Sequence, residues 1–165
     1  MTEKNLETTI GELLRTRGWR LAVAESCTGG LIGHRITDIP GSSTYYLGSV
    51  IAYAYEAKVR LLGVKWDTLN AYGAVSEAVI AEMASGVRRA LAADIGLAVS
   101  GIAGPTGGTS DKPVGLTWIG LSTPYFSQAL RFVFHGNRLE NKASAADAAL
   151  QLLVDFLQQE EDGSH

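Results

Sequence analysis

The sequence predicts an α/β fold, a three-layer α/β/α sandwich with a mixed, mostly parallel sheet. Three observations lead to it. Stretches with apolar residues at helical spacing alternate with short, uninterrupted apolar runs. The runs at 21–24 and 95–100 carry no charge and are too short for helices, as expected of strands covered on both faces. Two further strand-like runs, 114–122 and 128–134, follow one another with no helix between them, which predicts an antiparallel edge.

The elements follow in order. Leu6, Ile10, Leu13 and Leu14 mark a first helix, with Gly18 where a C-cap glycine belongs. The strand Leu21-Ala22-Val23-Ala24 runs into Glu25-Ser26-Cys27-Thr28-Gly29-Gly30 and then a helix to about Ile39, closed by the turn Pro40-Gly41-Ser42-Ser43. A second strand is predicted over 47–54, and a short helix over 56–62 is stopped by Gly63. Ser76 caps the clearest helix, whose inner face is Val79, Ile80, Met83, Val87 and Leu91. The 95–100 strand feeds a loop with glycines at 101, 104, 107 and 108. The 114–122 and 128–134 strands form a hairpin around Pro124. A long last helix buries Ala146, Leu150, Leu153, Val154 and Leu157, and the tail over 160–165 is expected to fray.

Composition narrows the function. The length of 165 residues suits one domain over 1–165, and 46% hydrophobic with 19% charged residues is a globular balance. No apolar run approaches the ~18 residues of a membrane span, and no signal-peptide stretch follows Met1, so a cytoplasmic protein without membrane contact is expected. A net charge of −3, with 14 basic and 17 acidic residues intermixed, argues against a nucleic-acid polymer as partner. The single cysteine, Cys27, excludes an internal disulfide and a multi-cysteine zinc site. His34, His135 and His165 are far apart without ligand spacing, so no metal and no cofactor are expected. Nineteen glycines exceed the roughly 12 expected at ~7%.

Ligands of open α/β sheets bind beyond the carboxyl ends of the strands. Three segments lie there. At 25–30, a hydroxyl, a thiol and two glycines precede a helix; the amides of Cys27, Thr28, Gly29 and Gly30 are candidates for a phosphate or an oxyanion. Ser26 is a nucleophile if a base reaches it, though Ser26 or Thr28 would equally cap the helix. Cys27 reads as a small core residue, with no histidine partner evident. At 53–58, Tyr53 and Lys58 flank a strand-to-helix junction, and a desolvated lysine can serve as a neutral base. At 101–108, Gly101, Gly104, Gly107 and Gly108 admit close approach of backbone to an anion, yet neither G-x-x-x-x-G-K-[ST] nor G-x-G-x-x-G occurs.

Taken together these blocks resemble one family. Ala24-Glu25-Ser26-Cys27-Thr28-Gly29-Gly30, Tyr53 with Glu56-Ala57-Lys58, Leu62-Gly63-Val64, Gly73-Ala74-Val75-Ser76-Glu77, Ser100-Gly101-Ile102-Ala103-Gly104-Pro105 and Lys112-Pro113-Val114-Gly115 occur in the order of the CinA C-terminal domain family. The resemblance spans about residues 6–158. It implies the stand-alone form of the domain and a bacterial enzyme of pyridine-nucleotide recycling. Its reaction would be hydrolysis of the carboxamide of nicotinamide mononucleotide to nicotinate mononucleotide and ammonia.

By the same resemblance Ser26 is the nucleophile, Lys58 its base, and Tyr53 assists proton transfer. The glycine loop with Thr106, together with Arg138 and Lys142, would position the sugar-phosphate of this small-molecule nucleotide. A homodimer is implied as well. The chain departs from the family pattern at Gly48-Ser49, at Ala54-Tyr55 (in place of Ser-Asn), at Asn137 within an expected Gly-Asp-Arg, and at Lys142, where an arginine is usual. Tyr55, Asn137 and Lys142 support an alternative, a nucleotide-binding or regulatory paralogue without turnover. A different amidase or a partner-binding domain using the same cleft is a third reading.

Overall fold

A computed structural model describes residues 4–163. Helix α1 (Leu6–Arg17) begins where the Asn5 side chain accepts from the Thr8 amide and ends at Gly18 in the left-handed region, φ 67°. There follow β1 (Leu21–Glu25), α2 (Leu31–Thr37), a 3₁₀ turn (Ser42–Thr44), β2 (Tyr46–Ile51), α3 (Tyr55–Leu62), α4 (Trp66–Tyr72) and α5 (Glu77–Ala90). The chain closes with β3 (Ile95–Gly101), β4 (Leu116–Ser122), β5 (Ser127–Val133) and α6 (Arg138–Asp162).

The five strands form one sheet in the order β2-β1-β3-β4-β5. β1 pairs in parallel with β2 and β3, while β4 is antiparallel to both of its neighbours. Four strands thus run one way and β4 runs against them, the mixed, mostly parallel sheet that the sequence predicts. The hairpin also falls at Pro124, closed by the Thr123 amide donating to the Phe126 carbonyl at 2.8 Å.

The two faces of the sheet differ in bulk. Leu21, Val23, Ile95, Leu97, Val99, Ile119 and Leu121 pack against α1, α2 and α6. The alternate positions carry Ala22, Ala24, Gly96, Ala98 and Gly120, which lie under α5, with α3 and α4 beside it. Small residues let α5 come down onto the sheet. A Cβ on Gly96 would lie 2.1 Å from the Ala84 carbonyl oxygen, and one on Gly86 would lie 1.9 Å from that of Leu62 at the end of α3.

Several elements differ from expectation: α2 ends at Thr37 rather than about Ile39, β4 begins at Leu116 rather than at 114, and β5 is displaced by one residue. α4 carries one buried apolar residue, Leu69, and no side-chain cap, so it has neither a periodic face nor a start signal; Glu82 accepts from the Lys65 amide in front of it. β2 stops at Ile51 rather than at 54, because the carbonyls of Ala52 and Tyr53 turn to Lys58. β3 extends through Gly101, which belongs to the strand and not to the loop. The expected fraying is absent over 160–162, where α6 continues to Asp162; Ser164 and His165 lie outside the described residues. Among the described residues no helix is long and apolar enough to cross a membrane.

The tight seat of α5 has a measurable consequence. Gly86→Ala drives a methyl into the backbone of Leu62, which no rotamer change relieves. We expect a loss of about 2–3 kcal/mol in urea unfolding with little change in far-UV circular dichroism. Wild-type stability would show that α5 can shift freely.

Candidate active site

The carboxyl ends of β1, β2 and β3 lie side by side because the three strands are parallel neighbours. Ser26 leaves β1 with its amide donating to the Val99 carbonyl at 3.1 Å, so the turn is tied to β3 at its first residue. Lys58 comes up from the first turn of α3. Its Nζ lies 3.0 Å from Ser26 Oγ, 2.7 Å from the Ala52 carbonyl oxygen and 3.0 Å from that of Tyr53.

Lys58 is only 1% exposed, and its three polar partners include no carboxylate. Burial disfavours the ammonium and lowers its pKa from 10.5 to about 8. Nζ donates to all three as an ammonium; as the neutral amine it can keep its two N–H bonds to the carbonyls and turn its lone pair to the serine hydroxyl. Ser26 itself is 7% exposed.

Glu25 is a buried acidic residue of this turn that the sequence does not single out. It is 0% exposed. Its Oε1 accepts from Thr28 Oγ1 at 2.6 Å, the Gly30 amide at 3.2 Å and the Ile32 amide at 3.0 Å, and its Oε2 accepts from the Gly33 amide at 3.1 Å. The available signal was an acidic residue continuing an apolar strand with no cation beside it; such a residue is buried only when its oxygens are fully occupied.

This changes which amides of the turn are open. The Gly30 amide is taken by Glu25, the Gly29 amide by the Ser26 carbonyl, and the Leu31 amide by that of Thr28. Gly29 and Gly30 are therefore not donors to a ligand. Among the described residues the amides of Cys27 and Thr28 donate to no protein oxygen. The Thr28 hydroxyl is likewise spent on Glu25. The Cys27 thiol sits in the core at 8% exposure, and burial, reinforced by the charge of Glu25, pushes it up to about 11. It stays protonated and unreactive at neutral pH.

The glycine loop also reads differently in three dimensions. A Cβ on Gly101 would lie 2.6 Å from Thr117 Oγ1, one on Gly104 2.4 Å from a methyl of Val114, and one on Gly108 2.7 Å from the Val114 amide. These glycines make room for β4 and the segment before it, so packing within the chain accounts for them without a ligand. Gly107 and Thr106 are exposed, and the Thr106 hydroxyl has no partner among the described residues.

Two cations at the start of α6 reach the same pole. Arg138 donates to the Gly104 carbonyl at 2.7 Å and to the Tyr53 hydroxyl at 3.2 Å, so the Tyr53 side chain faces Arg138 while its carbonyl holds Lys58. Buried Asn141 joins the same elements, donating to the Ala103 carbonyl at 3.0 Å and accepting from the Gly136 amide at 2.9 Å. Lys142 is half-buried, its ammonium 4.0 Å from the position of a Cβ on Gly29, and has no hydrogen-bond or ion-pair partner among the described residues. An open recess of about 500 Å³ lies between the glycine loop and α6, lined by Ala103, Pro105, Val114, Asn137, Arg138 and Leu139.

Residues 3–157 match the family model described as the CinA C-terminal domain. The chain belongs to this family. A CinA-like protein of Salinibacter ruber is 53% identical over 146 residues, 88% of this chain and 35% of that protein. A CinA-like protein of Chloroherpeton thalassium is 48% identical over 160 residues, 94% of this chain and 38% of that protein. The chain thus spans little more than a third of the length of these curated relatives. A crystal structure of a CinA superfamily protein from Klebsiella pneumoniae 700603 superposes with a TM-score of 0.90 at 34% identity, over 94% of this chain and 99% of that one.

Within this CinA domain two of the departures have a structural use. Asn137 caps α6 in a full capping box: its side chain accepts from the Glu140 amide at 2.9 Å, and Glu140 accepts from the Asn137 amide at 3.0 Å. Asparagine and aspartate cap equally well. Tyr55 opens α3, its ring 6.4 Å from that of Trp66, and its hydroxyl accepts from the Ala74 amide at 3.4 Å, which ties α3 to the loop before α5.

The buried amine predicts a pH signature in stability. The folded-state pKa lies below the unfolded one, so between about pH 8 and 10.5 the unfolded chain binds more protons. Below that window the cost of the buried charge is fully present, and above it the cost is gone. Denaturant titrations of wild type and Lys58→Met should therefore show the difference in stability shifting toward wild type from pH 7 to pH 10. A difference that stays constant with pH would mean that Lys58 titrates as it does in water.

Proposed function

We propose that this CinA-family domain is an amidohydrolase that works through a Ser26–Lys58 dyad on the carboxamide of nicotinamide mononucleotide, releasing nicotinate mononucleotide and ammonia. One observation carries the reading: a buried lysine amine without a carboxylate partner, 3.0 Å from a serine hydroxyl at the carboxyl edge of a parallel sheet. An exposed lysine is an ammonium at neutral pH and cannot accept the serine proton. One whose pKa is lowered to about 8 is partly neutral and can.

The steps follow from the placement of the groups. Lys58 Nζ takes the Ser26 hydroxyl proton as Oγ attacks the carboxamide carbon, and the carbonyl π bond opens to an oxyanion. The amides of Cys27 and Thr28 are the donors open to receive it. Collapse of this intermediate breaks the C–N bond, and Lys58 returns its proton to the departing ammonia. A water then attacks the acyl ester and gives a proton to Lys58; the C–Oγ bond breaks, Lys58 returns that proton to Ser26 Oγ, and nicotinate mononucleotide leaves. The Cys27 thiol takes no part.

The phosphate of the mononucleotide is assigned to Lys142, the side chain near the turn with no hydrogen-bond or ion-pair partner among the described residues. Arg138 contributes through the donors not spent on Gly104 and Tyr53. Tyr53 serves the reaction through its carbonyl, which accepts from Lys58, while its hydroxyl stays with Arg138.

The reading is tested by ammonia release from nicotinamide mononucleotide. Ser26→Ala should abolish turnover, and Lys58→Ala should lower kcat by about 10³-fold or more. Because Lys58 acts as the neutral amine, kcat/KM should rise with pH and level off above about pH 8. Binding of the mononucleotide by calorimetry without ammonia release would favour the paralogue that holds the ligand and does not turn it over. A Ser26→Ala variant with wild-type turnover would remove the dyad from the mechanism.

A further inference from the structure

The mechanism gives Glu25 no proton to move, yet its carboxylate is the fully buried charge next to the nucleophile. Its four hydrogen-bond donors all follow it within eight residues, so the side chain draws the chain after Ser26 into a loop around itself. Its backbone does a second job. The Glu25 carbonyl accepts from the Ala52 amide at 2.8 Å, and Ala52 in turn offers its own carbonyl to Lys58 Nζ. One residue is therefore linked to both halves of the dyad: its side chain gathers the turn that carries Ser26, and its main chain holds Ala52, a partner of Lys58.

We propose that Glu25 is the positioning residue of the dyad: its carboxylate fixes the turn so that Ser26 Oγ faces Lys58 and the Cys27 and Thr28 amides remain open to the oxyanion. This rests on the assignment of Ser26 as nucleophile. Two features give the carboxylate this role. It consumes the Gly30, Ile32 and Gly33 amides, so the start of α2 offers no rival site to the reacting oxygen or to the substrate phosphate. It also directs its charge into those amides instead of pairing with Lys58, which leaves the amine without the counter-ion that would hold it protonated.

The two oxygens are both needed. A glutamine keeps one acceptor and turns an NH₂ group toward amide donors, which leaves at least one of them facing another donor. An alanine leaves a hole lined by three amides and a hydroxyl, a match for a small carboxylate supplied from solution. The experiment uses the full chain with Glu25→Ala and Glu25→Gln, with and without formate, and with chloride at equal ionic strength as control. Three quantities are read: kcat and KM for ammonia release, the pH profile, and the rate at which a fluorophosphonate labels Ser26.

In Glu25→Ala both kcat and the labelling rate should fall about 100-fold, with a smaller change in KM. The inflection of the pH profile should remain near 8, because Lys58 is untouched. Formate, and not chloride, should restore part of both rates in Glu25→Ala and neither in Glu25→Gln, where the side chain fills the hole. Wild-type rates in both variants would overturn the proposal. So would formate that raises the melting temperature of Glu25→Ala without restoring labelling, since the residue would then only hold the fold.

If Glu25→Ala does not fold, Glu25→Gln and Thr28→Val decide, a labelling rate equal to wild type in both overturning the proposal. If wild type is labelled at Ser26 but releases no ammonia from the mononucleotide, the substrate assignment fails and the labelling comparison still decides the role of Glu25. If wild type is not labelled, Ser26 is not an activated nucleophile, and the proposal falls with it.

Discussion

An amine buried with no carboxylate beside it is the constraint around which this end of the molecule is arranged. Lys58 keeps its Nζ under the surface on two backbone carbonyls and one hydroxyl, partners that hydrogen-bond a neutral amine without stabilising an ammonium as a carboxylate would. The carbonyls of Ala52 and Tyr53 turn to Lys58 immediately beyond the end of β2 at Ile51. The early end of β2 and the depressed basicity of Lys58 are thus one structural fact seen at two levels.

The sandwich supplies the rigidity that such a short-range device requires. Ser26 and Lys58 stand on different elements, one leaving β1 and the other on α3, so their separation depends on how α3 is seated. α3 is held from below by α5 through the close approach of Gly86 to Leu62, and α5 rests on the small-residue face of the sheet through Gly96 and Ala84. Bulky residues fill the opposite face, where α1 and α6 can stand further off. The start of α6 then returns to the site, with Asn141 and Arg138 bonding the Ala103–Gly104 segment. Both helical layers therefore bear on the site.

Most of this framework was legible because its signals are local. Apolar periodicity placed α1, α5 and α6, and uninterrupted apolar runs placed β1 and β3. The order of strand ends brought residues 26, 53–58 and 101–108 to one pole. What escaped has no local signature. α4 has a single buried apolar residue, so pattern does not distinguish it from a loop. The glycines of the 101–108 loop suggested backbone close to an anion. Gly101, Gly104 and Gly108 instead face Thr117 and Val114, neighbours fixed only by sheet pairing and the return of the chain before β4. Glu25 escaped for a different reason: three of its four partners are backbone amides, which nearly every residue carries, so sequence does not show that they converge on it.

The charges of the site divide by what already binds them. Glu25 is satisfied within the chain by four donors, and Arg138 spends part of its guanidinium on Gly104 and Tyr53. Lys58 is poised to lose its charge. Lys142 remains, half-buried over Gly29, with no hydrogen-bond or ion-pair partner among the described residues. An incoming anion is therefore drawn to Lys142 rather than to the start of α2, where a carboxylate already occupies the amides. In the proposed reaction this separates two negative charges: the substrate's own goes to a lysine ammonium, and the one that develops on the reacting oxygen goes to the Cys27 and Thr28 amides. Lysine suits the first task despite lacking the fork of an arginine, because a single point charge on a flexible stem tolerates small differences in where the phosphate comes to rest.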